Sequence, residues 1–292
     1  MLNLREYRKT ASSLADFLPW AALVAPGVVL NKDGSFQRTA RFRGPDLESA
    51  TPAELVATTA RLNNALRRLG SGWAIWVEAV RRPALDYPAS DFPDPASALV
   101  DLERAGQFAE EGAHFESGYY LTLLWMPPAE DAARAETWLY EGRARDGIDP
   151  HELLAGFIDR TGRLLNLVEG IMPEAEWLDD ADTLTYLHSC VSTKAQQVRV
   201  PETPMHLDSL LADEPLTGGL EPQLGDHHLR TLTVIGFPSR TFPGLLDEMN
   251  RLAFPYRWAT RALMLDKTDA TKLTAKIRRQ WFAKRKSVAA IL

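Results

Sequence analysis

Apolar positions change their period along the chain, and the changes mark out its elements. The first long apolar run, Phe17 to Leu30 (FLPWAALVAPGVVL), has fourteen residues with Pro19 and Pro26 inside it. A membrane span needs roughly 18. The run predicts a buried first strand entered through an irregular turn, and a cleaved leader fits poorly because the cleavage point would interrupt a continuous strand pattern. Arg5, Arg8 and Lys9 ahead of the run and Trp20 within it keep an interfacial anchor open as the other reading. Next, VVLNKDGSFQRTARFRG places Asp33-Gly34 between two strand-like arms, where a tight hairpin needs a residue that accepts positive φ. On the second arm Phe36, Arg38, Ala40 and Phe42 share a face.

Thr51-Pro52-Ala53-Glu54 combines a capping threonine, a proline at the first helical position and a capping-box glutamate, so a helix starts there. Leu55, Leu62, Leu66 and Leu69 follow at helical spacing, Gly70 and Gly72 end the helix, and Trp73, Ile75 and Val77 alternate as a strand. A proline-rich connection, Pro83 to Pro95, leads to a helix capped by Asp94 that is expected to carry Leu99, Leu102 and Ala109 inward. Tyr119 to Met126 is almost continuously apolar and predicts a central strand covered on both faces. Asp149-Pro150 opens a long helix with a stripe of Leu153, Phe157, Leu164, Leu165, Val168 and Ile171, and Asp182 is expected to cap another bearing Leu184, Leu187 and Val191.

From Pro201 to Gly225 prolines and glycines predict a long loop. Beyond it the pattern predicts a strand at Leu229 to Gly236, a short helix at Pro243 to Leu252, a strand at Tyr256 to Leu265 and a helix from Lys267 to Leu292. Strands and helices on this irregular schedule argue for an α+β fold with helices packed on mostly antiparallel sheets. Two subdomains are expected, residues 1–200 and 201–292, with a soft boundary in the 201–225 loop.

Composition narrows the function more than the fold. The 292 residues are 45% apolar and 25% charged with a net charge of -6, ordinary globular usage and not that of a chain built to coat nucleic acid. Charge is unevenly placed: Leu85 to Asp159 holds sixteen acidic and four basic residues, whereas Arg251 to Leu292 holds eleven basic and two acidic. The single cysteine, Cys190, allows no internal disulfide, suits a reducing cytoplasm and reads as a small buried hydrophobe.

Catalytic patterns are missing. A phosphate loop needs a Gly-Lys pair after its glycines, and the sequence has none, so Gly218-Gly219 reads as loop. His227-His228 points to opposite faces of any strand, and His188 and Cys190 lie two apart on a helix, which sets them on divergent faces. Neither pair supports a metal or a nucleophile. Glu110-Glu111 and Asp179-Asp180 are explained by capping and solvation, and Ser189 and Ser192 lack a nucleophile elbow. No catalytic, cofactor or metal residue is assigned.

The closing helix says more. Leu273, Ile277 and Trp281 form a narrow apolar seam amid Lys272, Lys276, Arg278, Arg279, Lys284, Arg285 and Lys286. Its charge could sit in solvent, or it could meet phosphates of nucleic acid or anionic lipid. Trp20, Lys276, Arg278, Arg279, Trp281, Lys284, Arg285 and Lys286 are therefore the candidate interface residues. No glycine or proline stops the helix before Leu292, so a continuation of the chain is expected.

Four long collinear segments carry a resemblance: LPWAALVAPGVVLNKDGSFQRTARFRGPDL at Leu18 to Leu47, ATTARLNNALRRLGSGWAIWVEA at Ala57 to Ala79, LTGGLEPQLGDHHLRTLTVIGFPS at Leu216 to Ser239, and YRWATRALMLDK at Tyr256 to Lys267. Together they resemble the N-terminal region of TrbE-type conjugal transfer ATPases, the large ATPases of type IV secretion. The resemblance implies a cytoplasmic motor at the inner-membrane base of a secretion channel, with its Walker motifs, ATP and Mg in a C-terminal domain beyond residue 292. For residues 1–292 it implies a non-catalytic docking domain that engages other secretion subunits and its own ATPase domain, with self-association as a further expectation. The alternative from the residues alone is a single-stranded DNA module built on the basic helix and Trp281, against which the net charge argues. A small-molecule enzyme is the weakest reading, since no acid, base or nucleophile can be assigned.

Overall fold

The computed structural model describes residues 13–289, apart from 47–48, 85–86, 111–113, 129–148, 235, 237 and 243 and the side chains of 247 and 284–289. Arg5, Arg8, Lys9 and Glu111 lie outside the described residues. Seven strands form one sheet in which every pairing is antiparallel. The order is β1 (Trp20–Ala25), β2 (Val28–Asn31), β3 (Phe36–Arg43), β5 (Phe115–Trp125), β4 (Trp73–Pro83) and β10 (Tyr256–Leu263). The free edge of β3 beyond β2 is taken by β6 (Glu174–Trp177), with Ala40 opposite Trp177. The expected α+β class is the one observed.

The apolar run from Phe17 to Leu30 is two strands, not one. Pro26 and Gly27 turn the chain between β1 and β2, and Gly27 takes φ +65°. A run without polar alternation hides such a turn, because both arms are buried. Gly27 N–H donates to Asp180 Oδ1 at 2.7 Å, and a Cβ there would fall 2.2 Å from the Leu178 carbonyl oxygen. Only glycine fits both the backbone and the space.

Side chains on alternating positions of the strands supply two cores. On one face Val28, Leu30, Phe36, Trp73, Ile75, Leu121, Leu123 and Trp125 meet α2 (Pro52–Leu66) and α4 (Pro150–Glu169) through Ala65, Leu153, Phe157 and Leu164. Phe157 is fully buried and stacks on Phe36 and Trp73 at 5.7 and 5.8 Å between ring centroids. The opposite face carries Trp20, Val29 and Tyr120 against α1 (Leu14–Phe17), α5 (Asp180–Ser189) and α6 (Leu207–Leu211). Between the two cores Thr39 and Thr122 bond to each other across β3 and β5 at 2.9 Å. The central place expected for Tyr119 to Met126 is thus the place β5 holds.

Local signals set most helix starts. Thr51 and Glu54 form the capping box, Asp94 caps α3 (Pro95–Phe108), and Asp149 caps α4. The cap of α5 is Asp179, not Asp182: the Asp179 carboxylate accepts from Asp182 N–H at 2.8 Å. Leu99 and Leu102 do not point inward. They are 67% and 69% exposed, and α3 buries no residue. The segment expected as a plain loop folds back instead, with α6 in the second core and β7 (Leu216–Thr217), β8 (Gln223–Leu224) and β9 (His227–His228) in a small sheet. Leu229 to Val234 pairs with nothing as a strand, and Leu232 is 96% exposed. The short helix expected near Leu252 is one 3-10 turn, Asp247–Arg251. Strand β10 docks along β4 from Leu263↔Ala74 to Tyr256↔Arg81, so residues on both sides of the 201–225 segment build one sheet.

Candidate interface

The closing helix, α7 (Lys267–Ala289), starts where β10 leaves the sheet. Its root is fixed. Met264 N–H donates to the Trp73 carbonyl at 2.9 Å, Asp266 N–H donates to Ser71 Oγ at 3.0 Å, and Ser71 Oγ–H donates to Asp269 Oδ2 at 2.6 Å. The Asp266 carbonyl accepts the first helical bond, from Ala270 N–H. The loop at Gly70-Ser71, which ends α2, thus holds the helix at its first turn.

Beyond that turn α7 runs through solvent. Leu273, Ile277 and Trp281 are 43%, 55% and 54% exposed, so the seam read from the sequence is real, and about half of each of its side chains faces solvent. Trp281 and Phe282 meet edge to face at 5.2 Å. Lys272, Lys276 and Arg279 recur at i, i+4 and i+7 along one flank of the seam, and they and Arg278 are exposed. Lys284, Arg285 and Lys286 belong to the same helix, with side chains outside the described set. Trp20 corrects the expectation: it is 7% exposed in the second core beneath α1 and is not a surface contact residue.

Three features brought together from distant positions were not legible in the sequence. Beside the root of α7 a cleft of about 480 Å³ is lined by Arg68, Arg160, Arg163, Ser71, Trp73 and Trp125. Arg160 lies 5.4 Å over the Trp125 ring, and Arg163 is held by Asp159. A partly buried tie fixes β10 to α5: Arg257 donates to Glu78 Oε2 at 2.5 Å, to the Ser189 carbonyl at 3.1 Å and to Ser189 Oγ at 2.9 Å. Burial works against the Arg257 cation, but its anionic surroundings outweigh that and raise its pKa further. Third, the acid pair Asp213 and Glu214 clamps the end of α5: Glu214 accepts from Thr193 N–H and Ser192 Oγ, and Asp213 accepts from Lys194 at 2.9 Å. Burial alone would raise the Asp213 carboxyl, yet the bond from Lys194, with His188 and Ser192 close beside it, brings it down to about 2.

Residues weighed as catalytic stay apart. His188 is buried with Nε2 3.2 Å from Asp213 Oδ2, close enough for ion pairing but too poorly aligned for a hydrogen bond. Cys190 is exposed as a residue, but its thiol is buried as expected: it donates to the Tyr186 carbonyl at 3.3 Å, accepts from Arg257 at 3.1 Å, and burial pushes it up to about 11. His227 and His228 are both exposed, with His228 beside Gln223 and Glu221. Among the described residues no group of three or more His, Cys, Asp or Glu is placed to hold a metal ion. Among them also, no helix is long and apolar enough to cross a membrane.

A sheet domain with a projecting basic helix defines a class only when set beside its relatives. Residues 27–133 match the family described as type IV secretion system ATPase VirB4/TrbE, N-terminal domain. The conjugal transfer protein TrbE of Rhizobium radiobacter is 33% identical over 96% of this chain and 36% of its own length. In Sinorhizobium fredii, the first piece of a probable conjugal transfer protein TrbE is 45% identical over 130 residues, which is 44% of this chain and 87% of that protein. The type IV secretion system protein virB4 of Brucella suis biovar 1 is 26% identical over 84% of this chain and 31% of its own length. The chain belongs to the VirB4/TrbE family of type IV secretion ATPases. It spans about a third of the length of the TrbE and virB4 relatives that it matches over most of its own length.

Proposed function

We propose that these residues form a non-catalytic docking domain of a conjugative-transfer ATPase, which links the motor to the inner-membrane channel and pilus machinery. The observation that carries the reading is α7, a helix with an exposed apolar seam and basic flanks, rooted rigidly on the sheet. An apolar stripe left in water is characteristic of a surface waiting for a protein partner. ATP and Mg are held, in this reading, by a C-terminal ATPase domain, as the resemblance to TrbE-type ATPases implies. In this reading the domain sits in the cytoplasm, peripheral to the bacterial inner membrane, and its partners are other secretion subunits and that ATPase domain. Nucleic acid is not an expected partner.

Two measurements test the proposal. Purified residues 1–292 should turn over no ATP, and robust turnover would sink the reading. Substituting Arg278, Arg279, Lys284 and Arg285 by glutamate should weaken co-assembly with inner-membrane secretion subunits. Unchanged assembly would return the helix to the role of a solvated face, and tight, salt-sensitive binding to single-stranded DNA by the unsubstituted chain would favour a nucleic-acid module instead.

A further inference from the structure

The sheet ends differently on its two sides. At one end β1 has six residues, its pairing with β2 slips twice, and α6 packs beside it. At the other, the eight residues of β10 pair with β4 without a slip, and among the described residues no strand pairs with its outer side. Ala259, Thr260 and Arg261 at its middle are exposed. A regular open edge carries a row of unpaired N–H and C=O groups, a template for one more strand, and short or irregular edge strands are the usual protection. The two faces of β10 differ. Trp258 and Thr260 stand on the face of the first core, where a cleft of about 250 Å³ is walled by Val77, Tyr119, Leu246 and Met249. On the opposite face stand Arg257 and Arg261, with Glu78 across from Ala259 between them. Glu78 is bonded to Arg257, and Arg261 has no ion pair among the described residues.

We propose that the outer edge of β10 accepts an extended segment of a partner protein as an added strand, one in which acidic and apolar residues alternate. Backbone bonds to β10 supply the affinity, and side chains at alternate positions supply the selection. Every second residue of the incoming strand lies beside Trp258 and Thr260, on the side of the apolar cleft, and the residues between lie beside Arg261. An acidic residue there pairs with that arginine. The wider field favours the same sign, since Arg251 to Leu292 holds eleven basic and two acidic residues. A second copy of β10 is a poor occupant, because pairing two copies about Ala259 sets Arg257 against Arg261. The chain's own Leu229 to Val234 has strand composition and pairs with nothing, but it offers Arg230 and no acid. The site is a second contact surface, separate from α7, and rests on the docking reading only for the kind of partner, a protein.

The probe is a fluorescent heptapeptide in which glutamates alternate with leucines, titrated with the 292-residue chain and followed by anisotropy. Saturable binding in the micromolar range is expected. Proline at the peptide's centre should abolish it, and lysines in place of the glutamates should weaken it about tenfold or more. Arg261→Glu should weaken the glutamate peptide about tenfold and strengthen the lysine peptide, a reversal that misfolding cannot produce. Lys276→Glu with Arg279→Glu should change binding by no more than about twofold. A larger loss there would put the peptide on α7 and overturn the proposal. Hydrogen exchange should slow at the outward amides of β10 when the peptide is added. Binding that tolerates the proline, edge amides that stay fast, or no saturation up to about 1 mM chain would each overturn it. Edge amides already slow without peptide would assign the edge to Leu229–Val234 or, where sedimentation shows a dimer, to a second copy, and would overturn it too. If the peptide binds β10 while glutamates on α7 leave co-assembly with secretion subunits intact, the strand site stands and docking through α7 falls. If those glutamates abolish co-assembly and no peptide binds, the docking reading stands and the strand site falls.

Discussion

Arg257 fixes β10, and with it the root of α7, to the body of the domain, so its removal is the most informative single perturbation of the fold. The guanidinium side chain is 25% exposed and its partner Glu78 is 11% exposed. Breaking a fully buried ion pair costs about 3–5 kcal/mol, chiefly because the abandoned charge remains desolvated. With a quarter of Arg257 in water, about 2–3 kcal/mol is the reasonable cost of Arg257→Met, which keeps much of the aliphatic packing. Glu78→Gln should cost less, about 1–2 kcal/mol, because Arg257 retains its bonds to Ser189. The double variant no longer strands a charge, so its loss should fall short of the sum by about 1 kcal/mol or more. Urea unfolding of the four proteins, with equal slopes as the check on two-state behaviour, measures that coupling. Additivity within about 0.5 kcal/mol would refute the claim that the pair acts as a unit.

Three further outcomes follow from the geometry. Gly27→Ala meets both a φ of +65° and the Leu178 carbonyl oxygen 2.2 Å away, and should cost more than about 2 kcal/mol. Gly44→Ala, with nothing within 4 Å of its Cβ, should stay within about 1 kcal/mol of the parent by the same unfolding assay, and equal losses at both sites would contradict the steric explanation. Asp213 has a depressed carboxyl at about 2, so its stabilisation is complete above its unfolded value of about 3.9 and is lost as pH falls through the folded one. The stability gap between the parent and Asp213→Asn should therefore be flat near neutrality and close on acidification, and a gap independent of pH down to about 2 would exclude the clamp. Phe157→Ala removes a fully buried ring stacked on Phe36 and Trp73 and should cost about 3–5 kcal/mol, a small loss meaning that the first core is loosely packed.

Elements whose signals are local were legible. Asp33-Gly34, Thr51 with Glu54, Asp94-Pro95 and Asp149-Pro150 each satisfy backbone groups within four residues, so the sequence carries the complete cause. Where a neighbour in space decides, the pattern misled. The Pro26-Gly27 turn is fixed by Asp180, more than a hundred and fifty residues away. Leu229 to Val234 has strand composition but pairs with no strand among the described residues, and the side of β4 away from β5 is taken by β10. Leu99 and Leu102 have the spacing of a core stripe, yet the hairpin that carries α3 lifts it clear of both cores. Of the candidate interface, the basic row on α7 was readable because helical period and charge suffice to define it. The arginine cleft and the Arg257 tie join residues that only the folded sheet brings together.

The docking role would be tested most directly by conjugation from donor cells whose transfer ATPase carries Arg278→Glu and Arg279→Glu within this domain, with ATP hydrolysis by the same purified protein measured in parallel. Loss of an interface contact should lower transfer to recipients on the order of tenfold or more while leaving hydrolysis near the parental rate. Undiminished transfer, or transfer lost only in step with hydrolysis, would contradict a docking domain that acts through α7.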